Sequence, residues 1–144
     1  MFDEYKEYKV VSNNPLLEGK VSSCLELVSG GALSVFEKAR DYIHLGWTLL
    51  NHPLYGNFTP KQQPYRTILL GRKAVEDHKF HQVDLDSLQL IEGSIQRFSS
   101  GFPEGANPLS FKHFSQEILD DFATLDLYLV SVNLERYGIK LNTA

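Results

Sequence analysis

The residues best suited to chemistry stand in two similar tripeptides, each at the end of a predicted strand. They are Asn-Asn-Pro at residues 13–15 and Asn-His-Pro at residues 51–53. An asparagine side chain both donates and accepts hydrogen bonds, and imidazole can exchange a proton near neutral pH. Ligands of open α/β sheets bind outside the carboxyl ends of the strands, so the motifs predict one pocket if their strands are parallel neighbours. The alternative is a purely structural role, because these residue types are also ordinary turn formers.

Two arginines are the cations best placed to meet an anion. Arg66 stands at the start of a predicted strand, directly after the loop that leaves His52, and Arg40 lies on a predicted helix. His44 lies near the end of the same helix, where the helix dipole favours a positive charge. The alternative for Arg66 is a solvated charge without a ligand, and for His44 it is this interaction with the helix dipole alone.

The elements that would position these residues are read from hydrophobic periodicity and from turn formers. Alternating or short apolar runs bounded by Gly, Pro, Asn or Ser predict strands over residues 5–12, 21–28, 47–50 and 65–71. Apolar spacing of three and four predicts helices over residues 32–45 and from residues 84–87 to residues 99–101. We expect an α/β fold with a small, mostly parallel sheet of about four strands flanked by helices.

A third helix is predicted over residues 110–138, with Ser110 as its N-cap. One apolar row recurs at steps of three and four, and a second row widens the apolar face. Such a face suits either a helix between two layers or a helix shared with a second subunit, so a homodimer through this helix is expected. The two rows are Phe111, Phe114, Ile118, Phe122, Leu125, Leu129 and Val132, and Leu119, Ala123, Leu127, Val130 and Leu134.

Length and composition exclude several classes of protein. A chain of 144 residues predicts one domain, with a core over residues 1–100, a linker over residues 101–109 and the long helix after it. The net charge of −4 argues against a nucleic-acid partner, and no apolar run approaches the ~20 residues of a bilayer span. With a single Cys24 and no apolar leader at its start, the chain is expected in the cytoplasm.

The sequence offers little for metal or nucleophilic chemistry. His78 and His81 stand three residues apart without thiol or carboxylate ligands at zinc-like spacing, so no metal site and no cofactor are expected. Cys24 lies in a predicted strand, where a buried apolar role is the simpler interpretation. Neither a phosphate-binding glycine loop nor a nucleophile elbow is present.

The order of these motifs resembles the GrdX family. The resemblance covers about residues 8–98 and is carried by residues 11–15, 40–46 and 51–57, followed by Pro60 and the run Pro-Tyr-Arg at residues 64–66. The family is encoded in glycine, sarcosine or betaine reductase gene clusters. The resemblance therefore implies a cytoplasmic accessory protein linked to amino-acid reduction, with a reductase-complex protein as a partner, and not a catalytic reductase subunit.

Carried over residue by residue, the resemblance includes His44, Gly56 and Tyr65 together with the two strand-end motifs. The chain differs from the family pattern at Asn57, where the family often has Ser. The candidate ligand-binding residues are Asn13, Asn14, Pro15, Arg40, His44, Asn51, Gly56, Asn57, Tyr65 and Arg66, with His52 as the candidate catalytic residue.

Three functions remain open at this point. The first is an accessory protein that binds a small polar or anionic ligand at the strand ends, with the loop to Tyr65 as a lid. The second is a small enzyme in which His52 is the general acid or base and an asparagine orients a carbonyl or carboxylate. The third is an interaction scaffold that acts through the last helix.

Overall fold

The protein is a single α/β domain, as predicted. The computed structural model describes residues 5–21, 24–56, 64–73, 82–100 and 114–142. The elements, in chain order, are β1 (Glu7–Ser12), a 3₁₀ turn (Pro15–Leu17), β2 (Leu25–Leu27), α1 (Ala32–His44), β3 (Thr48–Leu49), β4 (Thr67–Arg72), α2 (Leu85–Ser100) and α3 (Gln116–Arg136). The predicted linker over residues 101–109 and the predicted N-cap Ser110 lie outside the described residues.

The four strands form one mixed sheet in the order β2-β1-β4-β3. In the described part of the chain the one parallel pair of neighbouring strands is β1 and β2, and β4 runs antiparallel to its neighbours β1 and β3. The expectation of a mostly parallel sheet is therefore wrong. A parallel neighbour needs a crossover to the opposite end of the sheet. The chain instead leaves β3 at Leu50 and re-enters at Thr67 on the same edge, so β4 has to run back.

Strand β2 is shorter than predicted. It covers three residues where the sequence pattern indicates residues 21–28, and Ser22 and Ser23 lie outside the described residues. Its partners are the last three residues of β1, from Val10 to Ser12. Strand β2 is short because it pairs only with the last three residues of β1.

The sheet is covered on both faces, which explains the continuous apolar run of β4. Val11, Ile68 and Leu70 pack with α1 and α2 on one face. Val10 and Leu69 pack with the 3₁₀ turn and α3 on the other face. Strands buried on both sides need apolar residues at successive positions, and strict alternation is not expected of them.

Helices α1 and α2 pack against each other through their predicted apolar stripes. Ala39 and Ile43 of α1 and Ile91 of α2 are fully buried. Phe36 and Phe98 meet edge to face, with ring centroids 5.5 Å apart. Asp84 caps α2, because its carboxylate accepts hydrogen bonds from the backbone N–H and hydroxyl of Ser87.

Helix α3 begins later than predicted. Its N-cap is Ser115, whose hydroxyl accepts a hydrogen bond from the N–H of Ile118 at 3.2 Å. The helix therefore has 21 residues, about 31 Å, and Phe114 precedes it. It packs on the sheet with its second apolar row, in which Leu119, Ala123, Val130 and Leu134 are buried. No helix in the described ranges is long and apolar enough to cross a bilayer.

Gly71 gives a test of the packing against β4. A Cβ atom there would lie 2.8 Å from two ring atoms of Tyr5 and 3.1 Å from Leu50. We expect Gly71→Ala to lower the free energy of unfolding by about 1–3 kcal/mol, the range for overpacking. Urea denaturation measures the change. Gly93→Ala in α2 is the matched control: open space surrounds its Cβ position, so it should stabilise by up to about 1 kcal/mol. Equal effects of the two changes would contradict this packing.

Candidate functional site

The two strand-end motifs lie on one edge of the sheet, here called the strand-end rim (residues 12–15, 50–56 and 64–67). Strands β1 and β3 run in the same direction and both end there, and β4 starts there. The two strands are not neighbours, because β4 lies between them. The motifs therefore meet on either side of the first residues of β4.

The asparagine side chains of the rim bind the backbone. Asn13 donates to the carbonyls of Pro64 at 2.8 Å and Gly30 at 3.0 Å, and its Oδ1 accepts from the N–H of Arg66 at 2.9 Å. Asn51 donates to the carbonyl of Thr67 and accepts from the N–H of Leu69. These amides join loop and strand backbones where the ladder ends, so they fix the rim's shape.

Asp126 of α3 binds three side chains of the strand-end rim. Its carboxylate accepts hydrogen bonds from Nδ2 of Asn14 at 3.0 Å, from the hydroxyl of Thr67 at 2.8 Å and from the hydroxyl of Tyr55. The residue is 4% exposed. Burial raises its pKa above the ordinary value, although these hydrogen bonds and the charge of Arg66 act in the opposite direction.

Arg66 is buried as well, at 2% exposure. The guanidinium donates to the carbonyl of Pro53 through Nε and a terminal nitrogen, and to the carbonyl of Tyr55 at 2.7 Å. It lies 3.8 Å from the centre of the Tyr55 ring, so Tyr55 stands between the cation and Asp126. Burial lowers the pKa of Arg66 and is the largest of the effects that raise the pKa of Tyr55. The sequence analysis considered Arg66 either as a solvated charge or as a cation that binds an anion. The buried guanidinium, bound to two backbone carbonyls, matches neither description.

The loop held by Arg66 carries His52. Its Nδ1 accepts a hydrogen bond from the N–H of Leu54 at 3.0 Å, and its carbonyl accepts from the N–H of Tyr55. When Nδ1 accepts, the neutral ring carries its proton on Nε2. His52 therefore offers Nε2–H as a hydrogen-bond donor.

An open cleft of about 260 Å³ lies between this loop and α2. Its polar side chains are those of His52, Gln89, Ser94 and Arg97, and its lining contains no carboxylate. The hydroxyl of Ser94 donates a hydrogen bond to the carbonyl of Leu90. Among the described residues Arg97 has no carboxylate within ion-pair distance. The lining is completed by Leu54, Leu90 and Gly93.

The other predicted residues divide between the rim and the rest of the fold. Pro15 begins the 3₁₀ turn beside Asn14, and Gly56 follows Tyr55 with φ of +87°. Tyr65 is buried against Leu119 and Ala123 of α3. Asn57 and most of the predicted lid, residues 57–63, lie outside the described residues.

Arg40 and His44 are not brought to the rim. Arg40 pairs with Glu92 of α2 at 2.9 Å. His44 is exposed in the last turn of α1, and the next strand begins beside Gly71, at the opposite end of β4 from the rim. Their ligand-binding role remains a prediction that this geometry does not support.

The sequence analysis missed Asp126, Tyr55, Thr67, Gln89 and Arg97. A signal for Asp126 was present: Leu119, Ala123, Asp126, Val130 and Leu134 follow at steps of 4, 3, 4 and 4, which places one carboxylate in a buried row. A charge in such a row requires partners. Gln89 and Arg97 give no signal, because polar residues on the outer face of a helix are ordinary.

The described residues contain no group of three or more His, Cys, Asp or Glu side chains placed to hold a metal ion. His78, His81 and His113 lie outside the described ranges. Asp126 is surrounded by hydroxyl and amide donors, and such groups satisfy a carboxylate without a metal.

Removal of the Asp126 carboxylate should destabilise the whole domain. Asp126→Ala removes the acceptor that Asn14, Thr67 and Tyr55 share, although Asn14 keeps its bond to the carbonyl of Ala123. We expect a loss of about 3–5 kcal/mol, as for one member of a buried charged network. Chemical denaturation measures it. Thr124→Ala, at an exposed position of the same helix, should change stability by no more than about 0.5 kcal/mol. A loss below about 1 kcal/mol for Asp126→Ala would show that the network contributes little.

Comparison with known proteins identifies the family. No curated protein and no solved structure gives a significant match to the chain. A family model described as GrdX-like protein matches residues 9–135, which include the whole strand-end rim and nearly all of α3. The match extends beyond the region of resemblance, residues 8–98, into the last helix. The chain belongs to the GrdX-like protein family.

Proposed function

We propose that the chain is a cytoplasmic accessory protein of a glycine, sarcosine or betaine reductase system, and that it binds a small anionic ligand in the cleft beside His52. Membership of the GrdX-like family supports the metabolic association. The observation that carries the ligand is the lining of the cleft, in which His52, Gln89 and Arg97 supply hydrogen-bond donors and no carboxylate opposes them.

The position of His52 supports binding through a hydrogen bond to the ligand. A general base needs a free lone pair on the nitrogen that faces the substrate. Here Nδ1 already accepts from Leu54, so the remaining ring nitrogen, Nε2, carries the proton. A donor of this kind suits a carboxylate or phosphate oxygen, and Arg97 adds the positive charge that such an oxygen requires.

The size of the cleft favours a small ligand. Pockets for drug-sized molecules have volumes of about 300–1,000 Å³. At about 260 Å³ this cleft suits an amino acid, betaine or a phosphate monoester. Each of these ligands carries an anionic group, which is either a carboxylate or a phosphate. The compounds tested below distinguish the two groups.

Thermal unfolding in the presence of glycine, sarcosine, betaine, phosphate and acetyl phosphate tests the proposal. A ligand at 100 times its Kd adds about 2.7 kcal/mol of stability, which corresponds to about 5–10 °C in Tm for a domain of this size. Choline and glycinamide are the matched controls, since each lacks the carboxylate, and they should give no shift.

Variants locate the effect in the cleft. His52→Ala and Arg97→Gln should each remove most of the shift. Lys38→Gln, which removes a positive charge from α1 where Lys38 pairs with Glu26, should retain it. The proposal fails if no compound shifts the Tm of the folded protein, or if the shift is unchanged in both cleft variants.

A further inference from the structure

Helix α3 has another apolar row outside its buried face, of which Phe122 also packs against the core cluster of Tyr65, Leu119 and Ala123. The row consists of Ile118, Phe122, Leu125, Leu129 and Val132, at steps of 4, 3, 4 and 3. Ile118 is 46% exposed and Val132 is 68% exposed, and the three residues between them are half-buried. An alternation of three and four is the spacing of a coiled-coil seam, in which each apolar side chain packs between side chains of a second helix.

The charges of α3 are unevenly distributed along its length. Glu117, Asp120 and Asp121 lie in the first two turns, whereas Glu135 and Arg136, which carry opposite charges, are the last two helical residues. Two copies of α3 in parallel would place the three carboxylates beside their counterparts. An antiparallel pair would separate the two acidic ends and place each beside Glu135 and Arg136 of the other copy, whose charges offset each other, so the charge pattern favours the antiparallel arrangement.

The apolar row is also self-complementary in the antiparallel direction. When Leu125 of one helix is set opposite Leu129 of the other, Phe122 falls opposite Val132 along the same row. Ile118 falls opposite Arg136, whose aliphatic stem can cover it while the guanidinium approaches Asp121. Every pair occurs twice, as a two-fold interface requires.

We propose that the chain forms a homodimer in which α3 packs antiparallel against α3 of a second copy, centred between Leu125 and Leu129. The buried face of α3, with Asp126, stays on the sheet, so dimer formation leaves the strand-end rim intact. This proposal does not depend on the ligand of the His52 cleft.

Sedimentation velocity over a range of concentrations tests the oligomeric state of the full chain. We expect a dimer for the unmodified protein. Leu125→Glu should raise the dimer dissociation constant roughly 30-fold or more, as for a residue at the centre of an interface. Thr124→Glu adds the same charge at an exposed position outside the row and should leave the dimer intact. A monomer at all concentrations, or a dimer insensitive to Leu125→Glu, would overturn the proposal.

Disulfide cross-linking in a Cys24→Ser background tests the direction of the helices. In an antiparallel pair the two copies of residue 118 lie about 27 Å apart, because 18 residues separate residue 118 from residue 136. Ile118→Cys alone should therefore not cross-link. A mixture of the Ile118→Cys and Arg136→Cys chains should give the mixed dimer. Efficient cross-linking of Ile118→Cys to itself would indicate a parallel pair and overturn the antiparallel arrangement.

Discussion

The buried carboxylate of Asp126 is the constraint on which the rest of this structure depends. It lies on the core face of α3, where every other buried residue is apolar. A charge there is tolerated only with a full set of hydrogen-bond donors. Those donors come from the 3₁₀ turn, β4 and the His52 loop, through Asn14, Thr67 and Tyr55. One side chain thus ties the last helix to three segments that precede it by 59 to 112 residues.

The network also links the fold to the proposed cleft. Tyr55 contacts Asp126 through its hydroxyl and Arg66 through its ring, and Arg66 in turn binds the carbonyls of Pro53 and Tyr55. These contacts fix the short loop that carries His52, so the imidazole is positioned before any ligand arrives. Preorganisation of this kind reduces the ordering cost of binding. The buried charges of this network therefore also serve to hold a loop in one conformation.

Much of the fold follows from the sequence, because period and turn chemistry are local properties. Helix α1 ends one residue before its predicted boundary, and β1 and β4 lie within two residues of theirs. The direction of β4 does not follow, since strand pairing depends on how the chain returns between β3 and β4. The sequence could predict that residues 13–15 and residues 51–53 lie on one edge of the sheet. It could not predict that the side-chain amides of Asn13 and Asn51 form hydrogen bonds with backbone groups. Hydrogen bonds of this kind can join residues more than 50 positions apart, such as Asn13 and Pro64.

In the proposed binding mode, the fixed His52 loop presents a hydrogen-bond donor to an anionic group in the cleft. An NMR titration that follows the imidazole resonances of His52 and His44 tests it most directly, with betaine, glycine and phosphate as ligands. Because His44 is exposed at the opposite end of β4, it serves as an internal reference. We expect a saturable shift of the His52 resonances with at least one of these compounds and no shift at His44. Titrations in which neither histidine responds, or both respond alike without saturation, would contradict it.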